Sequence, residues 1–135
     1  RERAEIFLKG FPGEVSFAVK ANPSAQVIKV LSQTGIKAWD VASVQEMAMV
    51  AKEVTKPHFH YHNPVKSRRE IADAFNIYGC RRYVVDCREE LAKIASIVGN
   101  ARDIEIAVRF VLPRDRGASV HDFSTKLGAP DHIFV

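Results

Sequence analysis

The stretch Phe17-Ala18-Val19-Lys20-Ala21-Asn22-Pro23 decides how the rest of the chain is read. Val15–Val19 mixes β-branched and aromatic residues without polar alternation, which predicts a short strand buried on both faces. Pro23 stops it and biases Asn22 away from helical geometry. A lysine at the carboxyl end of a parallel strand stands where α/β folds carry their chemistry. Burial there would lower the pKa of Lys20 and make its amine a usable nucleophile for a carbonyl. The ordinary reading of a lone strand-end lysine is a packed stem with its ammonium in water. The neighbours must decide.

Outward from this strand, helix and strand patterns alternate with short connections. Ala25–Ser32 carries Val27, Ile28, Val30 and Leu31 at helical spacing and is ended by Gly35. Ile36–Val41 reads as the second strand. Ser43-Val44-Gln45-Glu46 has the form of a capping box and opens a helix through Met47, Val50 and Ala51. Pro57–Tyr61 is the third strand, and Ser67-Arg68-Arg69-Glu70 caps a helix that buries Ile71, Ala74 and Phe75 before Gly79. Tyr83–Asp86 is the fourth strand. Arg88–Val98 is a helix with Leu91, Ile94, Ala95 and Val98 on one face, and Ile104–Phe110 is the fifth strand.

This order implies an α/β fold with a parallel sheet and right-handed crossovers. Five strands make a complete open doubly wound sheet, or about five βα units of an unclosed (β/α)8 TIM barrel. Val111–Ala129 is a long polar segment, and the chain ends on the apolar residues of His132–Val135 without a cap. The expectation is therefore a truncated barrel, with exposed strand edges and apolar helix faces that promote aggregation.

Composition narrows the function. Of 135 residues, 47% are hydrophobic and 27% charged, as in a globular domain, and the net charge is +4. The basic residues are scattered, with only pairs at Arg68-Arg69 and Arg81-Arg82, which argues against nucleic acid as a partner. No apolar run has the length of a membrane span and no signal peptide opens the chain, so a cytoplasmic location is expected. Cys80 and Cys87 fit no metal or redox spacing.

Ionisable residues fall at several predicted strand ends: Lys20, Asp40, Asp86 and, inside the fifth strand, Arg109. Asp86 doubles as an N-cap before Cys87-Arg88-Glu89, and Glu46 as the reciprocal member of its capping box. Asp40, after Ala38-Trp39, and Arg109, amid apolar neighbours, both need partners if buried. A Lys–Asp–Arg group around an anionic ligand satisfies all three. His58, His60 and His62 share one strand face, which leaves a zinc hydrolase as a separate reading, with no further ligands obvious at the other strand ends. Ser119, His121, Asp122 and Ser124 lack a nucleophile-elbow context and are set aside.

Phe17–Pro23, followed by Trp39-Asp40-Val41-Ala42-Ser43 with Glu46, resembles the PLP-dependent ornithine, diaminopimelate and arginine decarboxylases of the alanine-racemase-like barrel type. His62-Asn63-Pro64-Val65-Lys66-Ser67, Val84-Val85-Asp86-Cys87 with Glu90-Leu91, and Ser124-Thr125-Lys126-Leu127-Gly128 agree in the same order. The likeness covers essentially the whole chain and leans towards the bacterial ornithine decarboxylase branch. It implies that Lys20 carries pyridoxal 5'-phosphate as an internal aldimine. It also implies that Ala18 is a small residue beside the ring, and that Asp40, Glu46 and Arg109 line the cofactor pocket. Leu127 stands where the family usually has Phe, and Lys126 belongs to the same motif.

The implied reaction is decarboxylation of a basic amino acid, ornithine to putrescine first, within polyamine biosynthesis. Diaminopimelate, arginine, carboxynorspermidine and racemisation remain open, as does a non-catalytic regulatory or PLP-carrier paralogue. The resemblance further implies a homodimer at full length. The stacking histidine, the glycine-rich phosphate cradle, the acid on the pyridine nitrogen and a C-terminal β-domain lie beyond this segment. These 135 residues alone are therefore expected to be inactive.

Overall fold

The structure, a computed structural model, describes residues 1–111 and 128–130. Five strands, β1 (Ser16–Ala18), β2 (Ala38–Val41), β3 (His58–Tyr61), β4 (Arg82–Val85) and β5 (Glu105–Val108), form one sheet. All neighbours are parallel and the spatial order is the chain order, β1-β2-β3-β4-β5. A doubly wound sheet needs an order that reverses at a switch point. A sheet that never reverses, with right-handed crossovers, carries its helices on one face and curves towards barrel closure. The barrel reading holds, and the open doubly wound sheet is excluded.

Packing agrees. Trp39, Val41, Phe59, Tyr61, Tyr83 and Val85, at alternate strand positions, join Ile28, Met47, Val50, Ile71 and Ile94 from the helices in one buried cluster. Each of those aliphatic side chains contributes roughly 1.5–3 kcal/mol by leaving water. The register Ala18↔Asp40↔His60↔Arg82↔Glu105 runs along the opposite face and is mostly polar. The strands are thus two-faced, apolar towards the helices and polar towards the barrel interior. β1 departs from the fully buried strand expected: Ser16 is exposed, and Phe17 and Ala18 are half-buried. It is an edge of the sheet among the described residues, with β2 alone beside it.

The helices are α1 (Glu2–Gly10), α2 (Ala25–Gln33), α3 (Val44–Glu53), α4 (Arg68–Asn76) and α5 (Arg88–Val98). The first has no counterpart among the sequence expectations and buries no residue. The box at α4 forms as expected: Glu70 N–H donates to Ser67 Oγ, and Ser67 N–H donates to Glu70. At α3 only half of it does. Glu46 N–H donates to Ser43 Oγ, but the Glu46 carboxylate accepts from Ala42 N–H at 2.8 Å. At α5 the N-cap is Cys87, without a side-chain bond, and not Asp86.

The buried face of α5 also differs from the expected one. Glu90 and Ile94 are buried, whereas Leu91 and Ala95 are exposed. An acidic residue takes the inner position because Lys66 meets it there. Phe75 on α4 is half-buried, lying under the Arg81 guanidinium at 4.3 Å. Past β5, Ala129 N–H donates to Arg109 O and Val111 N–H donates to Ala129 O, a parallel bridge that adds the next segment beside β5.

Candidate active site

β1 stops at Ala18 because the chain winds into a single 3-10 turn, Val19–Ala21, closed by Asn22 N–H on Val19 O. The side chain of Asn22 then accepts from Ser24 N–H, so the turn leads straight to the start of α2. Lys20 is carried on this turn and is exposed. The burial expected at its strand end is not supplied by the described residues. Such burial depends on what closes over the rim, and β1 has its neighbour on one side only.

Beside it the carboxyl ends of the strands form a cavity of about 670 Å³. Its lining includes Lys20 after β1, Asp40 of β2, His62 after β3, Val84 of β4 and Arg109 after β5. The three residues singled out as a Lys–Asp–Arg group thus share one cavity. Asp40 is half-buried, and its ion pair is with His62, Nδ1 to Oδ1 at 3.2 Å, not with Lys20 or Arg109. Arg109 lies one residue beyond β5 and is half-buried, its N–H donating to Val85 O at 2.9 Å. Ala18 is in register with Asp40. Glu46 is not among the lining residues, because its carboxylate is occupied at the start of α3.

Lys66 holds the cavity's far wall. Its side chain is fully withdrawn from water, and Nζ donates to the carbonyls of Asn63 (2.8 Å), Pro64 (3.3 Å) and Val84 (2.8 Å). Asn63, Pro64 and Val84 all line the cavity, so one ammonium ties the loop after β3 to β4. Glu90 Oε1 sits 3.1 Å from Nζ and also accepts from Lys66 N–H, while Lys93 reaches the other carboxylate oxygen. Burial pushes the Lys66 ammonium's pKa down and Glu90 opposes that shift.

The other histidines of β3 have separate partners. His60 is buried on the inner face, with Nε2 2.8 Å from an Arg82 guanidinium nitrogen and 3.3 Å from Glu14. Desolvation first, and the Arg82 charge second, lower its pKa, with Glu14 opposing. Arg82 also pairs with Glu105 at 2.6 Å, and His58 is exposed 3.7 Å from Glu14. Among the described residues no three His, Cys, Asp or Glu side chains form a group that holds a metal. Cys80 is buried against the Phe59 and Arg82 carbonyls, and burial pushes its thiol up to about 11. Ser119, His121, Asp122, Ser124, Lys126 and Leu127 lie outside the described residues.

Sequence reasoning treated His62 only as a metal candidate and passed over the Lys66–Glu90 pair. Both residues of that pair stood in the motifs that carried the resemblance, and their order there was the available signal.

The family described as "Pyridoxal-dependent decarboxylase, pyridoxal binding domain" matches residues 1–132. The chain belongs to this family. No curated protein sequence matches the domain. Among solved structures, lysine decarboxylase from Selenomonas ruminantium is 32% identical with a TM-score of 0.75, over 96% of this chain and 32% of that one. The lysine/ornithine decarboxylase of Vibrio vulnificus, solved with cadaverine, is 29% identical with a TM-score of 0.72, over 96% and 31%. Ornithine decarboxylase from Entamoeba histolytica is 28% identical with a TM-score of 0.70, over 82% and 32%. The decarboxylase domain thus spans about a third of the length of these relatives.

The cofactor of the family is pyridoxal phosphate. The residues at the cavity fit it. They offer an amine for its aldehyde, a guanidinium for its negative charge and a carboxylate, in a space within the usual range of about 300–1,000 Å³ for such sites. No helix among the described residues is long and apolar enough to cross a membrane.

Proposed function

We propose that the full-length protein is a pyridoxal-phosphate-dependent carboxy-lyase for a basic amino acid, converting ornithine to putrescine. Lys20 is the residue that carries the cofactor. The observation that supports this is the meeting of Lys20, Asp40 and Arg109 in one cavity at the carboxyl ends of the strands. Lysine is the competing substrate, since two of the similar structures are lysine or lysine/ornithine decarboxylases. The proposal extends to a cytoplasmic homodimer in polyamine biosynthesis.

The cofactor supplies, when bound, the electron sink for the pair left behind as carbon dioxide departs. The chain's own residues do the rest. Lys20 offers Nζ from an exposed turn, where a small molecule can reach it. Arg109 brings a permanent positive charge on a backbone tied to both Val85 and Ala129. Asp40 keeps a carboxylate on the wall, with His62 Nδ1 3.2 Å from one of its oxygens. Ala18, the smallest side chain of β1, stands in register with Asp40 on the neighbouring strand.

The test uses the full-length enzyme loaded with pyridoxal phosphate, reduced with borohydride and digested. The peptide containing Lys20 is expected to carry the cofactor mass. Release of carbon dioxide from ornithine, lysine, arginine and diaminopimelate then ranks substrates by kcat/KM, ornithine being expected highest. Attachment elsewhere, or no release from any of the four, refutes the reading.

A further inference from the structure

We infer that His62 is a positioning residue for the Lys20 site, acting through Asp40. The inference rests on the function proposed above. The pair is built by register. Asp40 stands opposite His60, and His62 lies two residues further along the same face, its N–H donating to Val41 O at 3.0 Å. Asn63 then ties the chain back, its Nδ2 donating to Ala42 O at 3.4 Å. This holds the imidazole Nδ1 at 3.2 Å from Asp40 Oδ1, both side chains more than half withdrawn from water.

At 3.2 Å the imidazole nitrogen faces one oxygen of the Asp40 carboxylate and limits how that carboxylate can turn within the cavity. The other charged groups around the pair are Lys20 from the turn after β1, Arg109 from beyond β5 and His60, whose ring centroid is 5.6 Å from that of His62. β4 contributes the apolar Val84. Lys20 and Arg109 are cations, so Asp40 is the balancing anion among them, and His62 fixes which way its carboxylate faces. No proton need pass between His62 and Lys20 for this.

The experiment uses the cofactor-loaded full-length enzyme in four forms: wild type, His62→Asn, His62→Leu and Asp40→Asn. The absorbance of the bound cofactor and its retention on dialysis are compared across the four forms at a single pH. His62→Leu and Asp40→Asn are expected to shift the absorbance in the same sense, with His62→Asn lying nearer to wild type. Turnover of His62→Leu should fall by about tenfold in kcat with KM nearly unchanged, the size of coupling expected between contacting residues. His62→Asn retains a donor where Nδ1 stood and should recover part of that loss. Combining His62→Leu with Asp40→Asn should cost no more than Asp40→Asn alone.

A wild-type cofactor spectrum and turnover in His62→Leu, or full additivity with Asp40→Asn, overturns the inference while the proposed function stands. Wild-type enzyme that takes up no cofactor overturns both. Circular dichroism of each variant separates a folding defect from a local one, and the same cycle built from His62→Asn and Asp40→Asn decides if His62→Leu proves unstable.

Discussion

The ammonium of Lys66 lies 3.1 Å from Oε1 of Glu90, and neither side chain is more than 5% exposed. A charge this deep is tolerated only when its bonds are complete, and Lys66 has three carbonyls besides Glu90. Removing it leaves the buried Glu90 carboxylate with Lys93 at one oxygen and no cation at the other, and releases Asn63 and Pro64 from β4. Lys66→Met should therefore lower stability by about 3–5 kcal/mol, read as a drop in the urea midpoint of the full-length protein. Adding Glu90→Leu should restore part of it, because no unpaired charge then remains. A single variant as stable as wild type would show that Lys93 alone satisfies Glu90.

Gly128 is the second structural constraint on the site. A Cβ there would lie 2.7 Å from Val111 N and 2.8 Å from Phe110 C, both backbone atoms that cannot swing aside. Those atoms belong to the bridge that ties Ala129 to Arg109 and Val111. Gly128→Ala should cost roughly 1–3 kcal/mol, as overpacking does, and should also weaken cofactor retention by displacing Arg109. Equilibrium dialysis against pyridoxal phosphate checks the second effect. Unchanged retention would separate the bridge from the placement of Arg109.

The sheet was legible because short β-branched and aromatic runs alternate with helical spacing and turn signals along the chain. Capping residues at Ser43 and Ser67 located two helix starts. The cavity was legible too, since Lys20, Asp40 and Arg109 stood at strand ends. What escaped depended on partners distant in the chain. Lys66 beside Pro64 reads as a solvated loop lysine until Glu90, 24 residues later, comes to meet it. The same pairing turned the face of α5, burying Glu90 where apolar spacing favoured Leu91. α1 fully buries no residue: Ile6 and Phe7 are exposed and Leu8 is only partly buried against the core, so its apolar residues mark the inner face weakly. The exposure of Lys20 follows from the edge position of β1, which local sequence does not encode.

His60 makes stability depend on pH. Its pKa lies below the ordinary 6.5 of the unfolded chain, from burial first and the Arg82 charge second. Between the two values the unfolded state binds the extra proton, so stability rises with pH there. The His60 contribution is fully present above pH 6.5 and is lost as pH falls through the folded-state value. The urea midpoint of wild type should fall between pH 7.5 and 5.5 by more than that of His60→Gln, the two pH values chosen about one unit either side of histidine's range. Equal losses in the two proteins would show that burial of His60 leaves its protonation free of folding.

Ala18 tests the inner face directly. Phe17 packs against the core, so strand alternation sends Ala18 to the opposite side, in register with Asp40. A larger side chain there projects into the space between Asp40 and the turn that carries Lys20, without entering the core. Ala18→Leu should leave circular dichroism and the urea midpoint near those of wild type, while cofactor retention falls by at least about tenfold, the equivalent of 1.4 kcal/mol in binding. Ala18→Gly, which adds nothing, should retain cofactor and so controls for backbone effects. If Ala18→Leu binds as tightly as wild type, the ring does not occupy the space before β1. Attachment at Lys20 would then have to bring the cofactor in along the Arg109 side of the cavity.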